Sequence, residues 1–288
     1  MSAIVFTGTR RYSKPRSRAI RRYRQKILCG WYCILAIGSL FALNWIYQTI
    51  RKPAELLSPI SSSFAKSPQA TWQSYAPLFE KYSTGVVSTE LLAALAQVEA
   101  NGNPVALPYW RWKWSWYPWE IYRPASSAIG MFQLTDGTFA EARKYCIRDH
   151  HVLTEGSWYD PNSCWLNALY SRNIPSHAVE MTAAYLHKNV VAILGARLGK
   201  ATRDEKERLA AVIHLCGVKH ARSFAERGLR VTATERCGTH SVHTYISQVN
   251  AMKDRFHRLR QSSVSSQALN ELGEARLLSS SIGGIDAQ

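Results

Sequence analysis

The sequence predicts a mostly α-helical domain that follows one N-terminal transmembrane helix. Three observations support this fold class. Positions 27–50 carry no charged residue. Beyond them, apolar residues recur at helical spacing, and the alternating pattern of half-buried strands is scarce. The chain has 288 residues, 46% of them hydrophobic, which is enough for one medium-sized domain with appendages.

The apolar segment 27–50 is long enough to cross a bilayer, since a spanning helix needs about 20 such residues. Trp31, Tyr32, Trp45 and Tyr47 lie towards its ends, where aromatic rings favour the headgroup layer. A buried core helix rarely runs this far without a polar face. A cleaved signal peptide has an apolar stretch of about 7–15 residues and a small-residue cleavage site, and neither is visible here. We interpret the segment as a signal anchor.

The formal net charge of +16 is concentrated at the N-terminus. Nine of the 36 basic residues lie within positions 1–26, which contain no acid, and 27 basic against 20 acidic residues remain elsewhere. Because most of the excess charge lies in this tail, the hypothesis of a nucleic-acid-binding domain has little support, and we predict no nucleic acid partner. Nine basic residues precede the anchor and only two, Arg51 and Lys52, directly follow it, and this difference places the N-terminus in the cytoplasm. The bulk of the chain is therefore expected on the other side of the membrane, held by a single pass.

Composition and helix signals divide the chain further. Ser88 is a predicted helix cap, and Thr138 with Glu141 and Thr202 with Glu205 have capping-box spacing. The predicted parts are a basic cytoplasmic tail (1–26), the anchor (27–50), a linker (51–71), a helical domain (72–260) and a disordered tail (261–288).

Four cysteines lie beyond the anchor, where an oxidising compartment favours pairing. They allow three connectivities, of which we choose the local one. The predicted pairs are Cys146–Cys164 and Cys216–Cys237. A metal site built from Cys146, Cys164, His150 and His151 is the alternative, but it lacks the usual ligand spacing. We therefore predict no metal and no cofactor.

Glu99 is the candidate catalytic residue. It follows Leu92 and Leu95 by seven and four residues, which places it on their apolar face in the last turn of a helix that stops near Gly102. Partial desolvation and the negative end of the helix dipole both favour the protonated carboxyl group that a general acid needs. A lone glutamate near a helix end is more often a solvated residue, so this placement alone is weak evidence.

Three ordered motifs add to it. Residues 99–104 (Glu-Ala-Asn-Gly-Asn-Pro) resemble the Glu-Ser-x-Gly-Asn-Pro turn of soluble, goose-lysozyme-like lytic transglycosylases. Residues 126–134 (Ser-Ser-Ala-Ile-Gly-Met-Phe-Gln-Leu) are similar to the family's Ser-x-Ala-x-Gly-Leu-Met-Gln-Ile segment. Residues 179–186 (Val-Glu-Met-Thr-Ala-Ala-Tyr-Leu) are similar to its Ile-x-x-Gly-Ala-x-Tyr-Leu helix. The resemblance covers about residues 72–255.

The resemblance implies a lysozyme-like helical fold and cleavage of the β-1,4 bond between N-acetylmuramic acid and N-acetylglucosamine in peptidoglycan glycan strands. Glu99 would act as acid and then as base, and a 1,6-anhydro ring would form. The implied substrate-binding residues are Gly130, Met131, Gln133, His214 and Tyr245.

The chain departs from the family at several positions. Ala100 replaces the serine after the catalytic glutamate, and His214 and Leu215 take the tyrosine and asparagine places of an Ala-Tyr-Asn-Ala-Gly motif. Residues 241–246 match a Glu-Thr-x-x-Tyr-Val motif without its glutamate.

A tryptophan-rich insert at 109–122 also separates Glu99 from Gly130. Its rings and cations suit sugars and peptide-stem carboxylates, and they equally suit packing of the insert onto the domain. A membrane-interface role is a further alternative, since the domain is tethered close to the bilayer. Glu120 in the insert and Asp136 are candidates for a second carboxylate, which would favour a hydrolytic lysozyme.

Two other classes of function stay open. One is a catalytically silent peptidoglycan-binding module that localises an envelope or secretion machine. The other is a structural, disulfide-rich envelope protein with a metal site. In each case the membrane is a partner through residues 27–50.

Overall fold

Helices make up most of the secondary structure in the residues that the computed structural model describes, which are 15–154, 156, 159–160, 163–232 and 234–282. The helices are α1 (Pro15–Arg51), α2 (Pro68–Lys81), α3 (Thr89–Ala100), α4 (Asp136–Ala142), α5 (Pro175–Leu194), α6 (Arg203–Glu226) and α7 (Val242–Ile282). Six short strands in the described residues pair into three two-stranded sheets: β1 (Trp110–Trp112) with β2 (Tyr122–Pro124), β3 (Tyr145–Arg148) with β4 (His151–Thr154), and β5 (Arg236–Cys237) with β6 (His240–Ser241). The prediction of a mostly helical chain is confirmed.

The described residues divide into two compact units. The first lies within Met1–Pro53 and Trp110–Arg123, and the second within Ala54–Tyr109 and Pro124–Gln288. The insert, Trp110–Arg123, thus lies between the two segments of the second unit in sequence but belongs to the first unit.

Helix α1 extends beyond the predicted anchor, into the basic tail. Pro15 occupies its first position, where the missing N–H group costs nothing, and no further proline interrupts the helix before Arg51. Its part from Ile20 to Arg51 is long and apolar enough to cross a membrane. Residues 1–14 of the predicted cytoplasmic tail lie outside the described residues.

The tryptophan-rich insert packs against α1. The Phe41 ring lies 6.0 Å from that of Trp112, centroid to centroid, in an edge-on arrangement. Asn44 Nδ2 donates to the Tyr122 carbonyl oxygen at 2.8 Å, and Gln48 Nε2 donates to that of Trp119 at 2.9 Å. Strand β1 lies in this insert, and its pairing with β2 closes the hairpin.

In the second unit, α3 is the innermost helix. Ser88 caps it as predicted, with its hydroxyl accepting from the Leu91 N–H at 3.1 Å. Positions 91–96 (Leu-Leu-Ala-Ala-Leu-Ala) have no exposed surface, and α2 and α7 pack against them. Full burial of each leucine contributes about 1.5–3 kcal/mol relative to exposure. The helix that carries Glu99 is therefore fixed by the core along most of its length.

Several element ends differ from the sequence prediction. Thr202 and Glu205 form the predicted capping box of α6, but α4 is capped by Thr135, not Thr138. The Thr138 backbone N–H donates to the Thr135 hydroxyl oxygen at 3.4 Å.

The predicted linker and tail also contain helical structure. Within 51–71, two 3₁₀ turns (Pro53–Leu57 and Ser61–Phe64) precede α2. The sequence predicts disorder from 261, whereas α7 continues to Ile282, because this segment lacks proline and holds several good helix formers. Residues 283–288 lie outside the described part.

A buried carboxylate joins the β3–β4 hairpin to α5. Glu180 is 1% exposed, and it accepts from the Ile147 N–H at 2.9 Å and from the Tyr170 hydroxyl at 2.7 Å. Burial, with the nearby Glu180 carboxylate adding to it, raises the pKa of Tyr82 to about 12. The same two causes raise the pKa of Tyr170. Both phenols therefore stay protonated across the physiological pH range, and the Tyr170 hydroxyl continues to donate to Glu180.

The two predicted disulfides are confirmed. Their Cα atoms are 5.5 Å apart in Cys146–Cys164 and 5.4 Å apart in Cys216–Cys237. The metal site considered at Cys146 and Cys164 is wrong, since these two sulfur atoms are bonded to each other. Cys29 and Cys33, both in α1, are free and exposed.

The disulfides give the first testable prediction. The unreduced full chain, unfolded in denaturant, should show only the two free thiols of α1, and reduction should expose four more. Replacing either pair by serines should lower the free energy of unfolding by about 2–4 kcal/mol, because the unfolded chain is no longer constrained. Thiol titration and denaturant unfolding measure these outcomes. Six reactive thiols before reduction would contradict the pairing, and a Cys29→Ser variant is the control that should leave stability unchanged.

Candidate functional site

The chain turns sharply just after Glu99. Asn101 ends α3 in the left-handed conformation, with φ 51° and ψ 42°. Gly102 follows with φ +62°, and a Cβ atom there would overlap the Thr71 hydroxyl. Only glycine fits such a position without strain. The Glu-Ala-Asn-Gly-Asn-Pro sequence therefore stops the helix immediately after the glutamate, which leaves Glu99 in its last turn.

Buried amides hold this turn in place. Gln97 accepts from the Thr71 hydroxyl at 2.7 Å and donates to the Lys66 carbonyl oxygen at 3.1 Å. Asn103, 4% exposed, donates to the Ser61 carbonyl oxygen at 2.6 Å. Sequence reasoning missed Gln97 and Thr71. The available signal was a glutamine that directly follows the apolar run 91–96.

Two side chains contact the Glu99 carboxylate. The Tyr245 hydroxyl donates to Oε1 at 2.5 Å, and His214 Nε2 lies 3.6 Å from the same oxygen. The exposed fraction is 18% for the Glu99 side chain and 7% for that of His214. The structure thus brings together three sequence-predicted residues from α3, α6 and α7. In the described part of the chain, the recorded partners of this carboxylate are a phenol and an imidazole.

Burial fixes the protonation state of the phenol. It raises the pKa of Tyr245 well above its usual value of 10, and the adjacent Glu99 carboxylate raises it further. Tyr245 is therefore a hydrogen-bond donor throughout the neutral range. Because it donates to Oε1, this hydrogen bond holds that oxygen in place.

A disulfide and a helix kink bring His214 and Tyr245 to the same oxygen. Helix α6 breaks at Gly217, with φ 78° and ψ 168°, three residues after His214. Cys216 at the kink is bonded to Cys237 in β5, and α7 begins five residues after Cys237. The cross-link thus fixes the start of α7, and Tyr245 lies in its first turn.

Glu235 stabilises the segment between α6 and α7. Its carboxylate pairs with Arg227 at 2.5 Å and with His220 at 2.8 Å, and its carbonyl oxygen accepts from the Val242 N–H at 3.0 Å. His220 also lies near the sulfur atoms of Cys216 and Cys237, a grouping with metal-ligand residue types. The disulfide consumes both thiolates, so this group does not form a metal site.

His214 lines a cavity of about 220 Å³, whereas Glu99 and Tyr245 are not among its lining residues. Its lining residues are Gln133, Leu134, Thr135, Thr138, Tyr185, Ile213, His214, Leu215 and Gly217. Hydroxyl, amide and imidazole groups alternate there with aliphatic side chains. Such a surface suits a ligand that presents both hydroxyl groups and apolar ring faces.

The segment 126–134 contributes only in part to this cavity. Gln133 lines it, with Nε2 donating to the Gly130 carbonyl oxygen at 3.0 Å. The Met131 side chain is fully buried, so it belongs to the core and not to a ligand surface. Gly130 (φ +82°) is required by the fold itself, since a Cβ atom would overlap the Arg172 carbonyl oxygen.

Arg172 is a further residue that sequence reasoning missed. Its Nη1 donates to the carbonyl oxygens of Ser127 at 2.9 Å and Leu134 at 2.7 Å, and it pairs with Asp136 at 2.8 Å. It therefore clamps both ends of the segment that carries Gln133. No motif marks it, because the contact joins positions far apart in the sequence.

The two candidate second carboxylates have other partners. Asp136, with a side chain 66% exposed, is paired with Arg172. Glu120 lies in the first unit, where it pairs with Arg51 at 3.0 Å and Arg123 at 3.8 Å.

Comparison with models of known protein families gives no match, and comparison with curated proteins gives none either.

Proposed function

We propose that the chain is a membrane-anchored peptidoglycan lytic transglycosylase with Glu99 as its catalytic acid and base. The observation that carries the proposal is the position of the Glu99 carboxylate at the end of a buried helix. It accepts a hydrogen bond from the buried Tyr245 hydroxyl and lies 3.6 Å from His214, which lines a cavity of mixed polar and apolar character. The order of the three motifs supports the same assignment. We also propose that the helical second unit has a lysozyme-like fold.

The reaction needs one carboxyl group that acts twice. Protonated at Oε2, Glu99 gives its proton to the glycosidic oxygen as the bond to the anomeric carbon of N-acetylmuramic acid breaks. The resulting carboxylate then takes the proton of the muramic 6-hydroxyl, whose oxygen attacks the same anomeric carbon. A 1,6-anhydro ring forms and no water is consumed. General acid–base assistance of this kind contributes on the order of 10²–10⁴-fold in rate.

The surrounding residues have distinct roles in this proposal. Tyr245 holds Oε1, which orients Oε2 and stabilises the carboxylate after the first proton transfer. His214 and Gln133 line the cavity and are the candidates to bind the acetamido and hydroxyl groups of the sugar. The family's tyrosine is replaced at 214 by an imidazole, which keeps a hydrogen-bonding group beside Glu99.

We propose that α1 anchors the protein in the bacterial inner membrane with the second unit in the periplasm. Nine basic residues before the apolar run support this orientation, and the two disulfides support an oxidising compartment for the second unit. Peptidoglycan is then the polymer within reach.

Glu99→Gln tests the catalytic assignment. The full chain in detergent, incubated with purified sacculi, should release 1,6-anhydromuropeptides, and Glu99→Gln should reduce the release by roughly 10²–10⁴-fold, since an amide cannot exchange the proton. Mass spectrometry of the soluble products is the measurement, and Glu226→Gln, at an exposed position of α6, is the matched control. Products with reducing ends would show that water is the nucleophile. Wild-type protein that binds sacculi and releases nothing would indicate a binding module.

Tyr245→Phe tests the role of the phenol. The variant loses one hydrogen bond to a charged group, which is about 1.5–3 kcal/mol, or roughly ten- to a hundredfold in rate. Turnover should fall by up to this factor, and the free energy of unfolding should fall by no more than about 1.5–3 kcal/mol, because the ring stays in the core. Tyr23→Phe, on the exposed part of α1, is the control. Unchanged turnover in Tyr245→Phe would rule out this role.

A fusion test addresses the topology. A periplasmic reporter attached after residue 260 should be active, and the protein should stay in the membrane fraction after carbonate extraction, because 24 uncharged positions precede the second unit. The same reporter after residue 14 should be inactive. A soluble, N-terminally shortened product would identify a signal peptide in place of an anchor.

A further inference from the structure

We propose that the tryptophan-rich hairpin, residues 110–123, binds the phospholipids of the outer leaflet together with α1. The inference rests on the proposed anchor and adds a second lipid-binding element to it. The hairpin and α1 form one compact unit, so its placement against the helix is a property of that unit.

The first step is the apolar surface that the hairpin exposes. Trp114 and Trp116 have exposed fractions of 85% and 90%, and Trp112 has 65%. The surface continues onto α1, where Leu40 and Leu43 are also exposed. Between the two elements lies an open cavity of about 420 Å³ with a mostly aliphatic and aromatic lining. A surface of this kind is unfavourable in water, whereas acyl chains can fill it.

The second step is the depth at which the hairpin contacts α1. Lys26 is the last charged residue before the apolar run, and Asn44 lies about 27 Å further along the helix axis. The hydrocarbon layer is about 30 Å thick, so Asn44 is expected at its outer edge. The hairpin contacts α1 from Phe41 to Arg51 and therefore spans the upper acyl chains and the headgroup layer. Tryptophan and tyrosine are enriched at this level of membrane proteins.

The third step is hydrogen bonding. Carbonyl groups without a donor are costly where water is scarce. Within the apolar run, Asn44 (7% exposed) and Gln48 (4% exposed) direct their amides to the Tyr122 and Trp119 carbonyl oxygens. The Lys113 N–H donates to the Ile121 carbonyl oxygen at 2.8 Å, which closes the hairpin on itself. These contacts lower the cost of placing irregular backbone at the membrane boundary.

The fourth step is charge. Arg111, Lys113 and Arg123 against Glu120 give the hairpin a formal charge of +2. Glu120 is engaged by Arg51 and Arg123, and Arg111 and Lys113 alternate with the tryptophans. Cations among interfacial tryptophans match anionic phospholipid phosphates. Lipid is therefore the occupant that fits both the apolar and the charged parts of this surface.

Depth-dependent quenching of tryptophan emission tests the inference. The full chain is placed in vesicles of phosphatidylethanolamine and phosphatidylglycerol that carry bromine on the upper part of the acyl chains. The double variant Trp114→Phe/Trp116→Phe should lose part of the quenched emission, whereas Trp72→Phe, in the core of the second unit, should leave the quenched emission unchanged. Replacing Arg111 and Lys113 by glutamine should reduce the quenching that depends on phosphatidylglycerol.

The outcomes separate this inference from the anchor. Trp31 and Trp45 of α1 report on the anchor itself. If they account for all the quenching and the double variant changes nothing, the hairpin does not bind lipid, although the anchor stands. If the double variant leaves the quenching unchanged and the protein is a dimer, a second copy of the chain covers the hairpin surface, and the inference is likewise overturned. No quenching in any variant would overturn both.

Discussion

The burial of α3 is the constraint on which the site depends. A run of leucine and alanine with no exposed surface lets α2 and α7 approach this helix closely, and the helix then has no freedom to shift. Glu99 extends from the end of that fixed helix, at the point where the left-handed turn at Asn101 releases the chain. The carboxylate is thus positioned by the core, while its chemistry is set by residues delivered from α6 and α7.

The two oxygens of this carboxylate are not equivalent. Tyr245 donates to Oε1, and His214 approaches the same atom, so that side of the group is occupied by the protein. An acid that must first give and then accept a proton benefits from one fixed oxygen and one available oxygen, because the group need not rotate between the two steps. This arrangement gives a physical reason why a single carboxyl group can serve the proposed reaction, while Asp136 and Glu120 remain engaged in ion pairs elsewhere.

Local patterns in the sequence predicted much of this arrangement. The apolar run of α1, the caps at Ser88 and Thr202 and the close cysteine pairs each depend on neighbouring residues, and each is found. The glutamate, histidine and tyrosine of the site were named from motifs, and the structure brings them together.

What the sequence did not predict depends on contacts between distant positions. The Arg172 clamp joins residues about forty positions apart, and the hairpin meets α1 about seventy positions away. Met131 was assigned to the ligand surface because the family resemblance implied it, yet its side chain is fully buried, and burial is a property of the whole fold. The helix beyond 260 was missed since serine-rich composition was weighed above the absence of proline.

The Cys216–Cys237 bond gives the proposed enzyme a dependence on its compartment. The bond joins the kink beside His214 to the strand that precedes Tyr245, so both partners of Glu99 are tied to one cross-link. A newly made chain in a reducing cytoplasm would lack that bond, so the start of α7 would lose its covalent link to the α6 kink. In the proposed enzyme, formation of this bond would therefore link completion of the site to export.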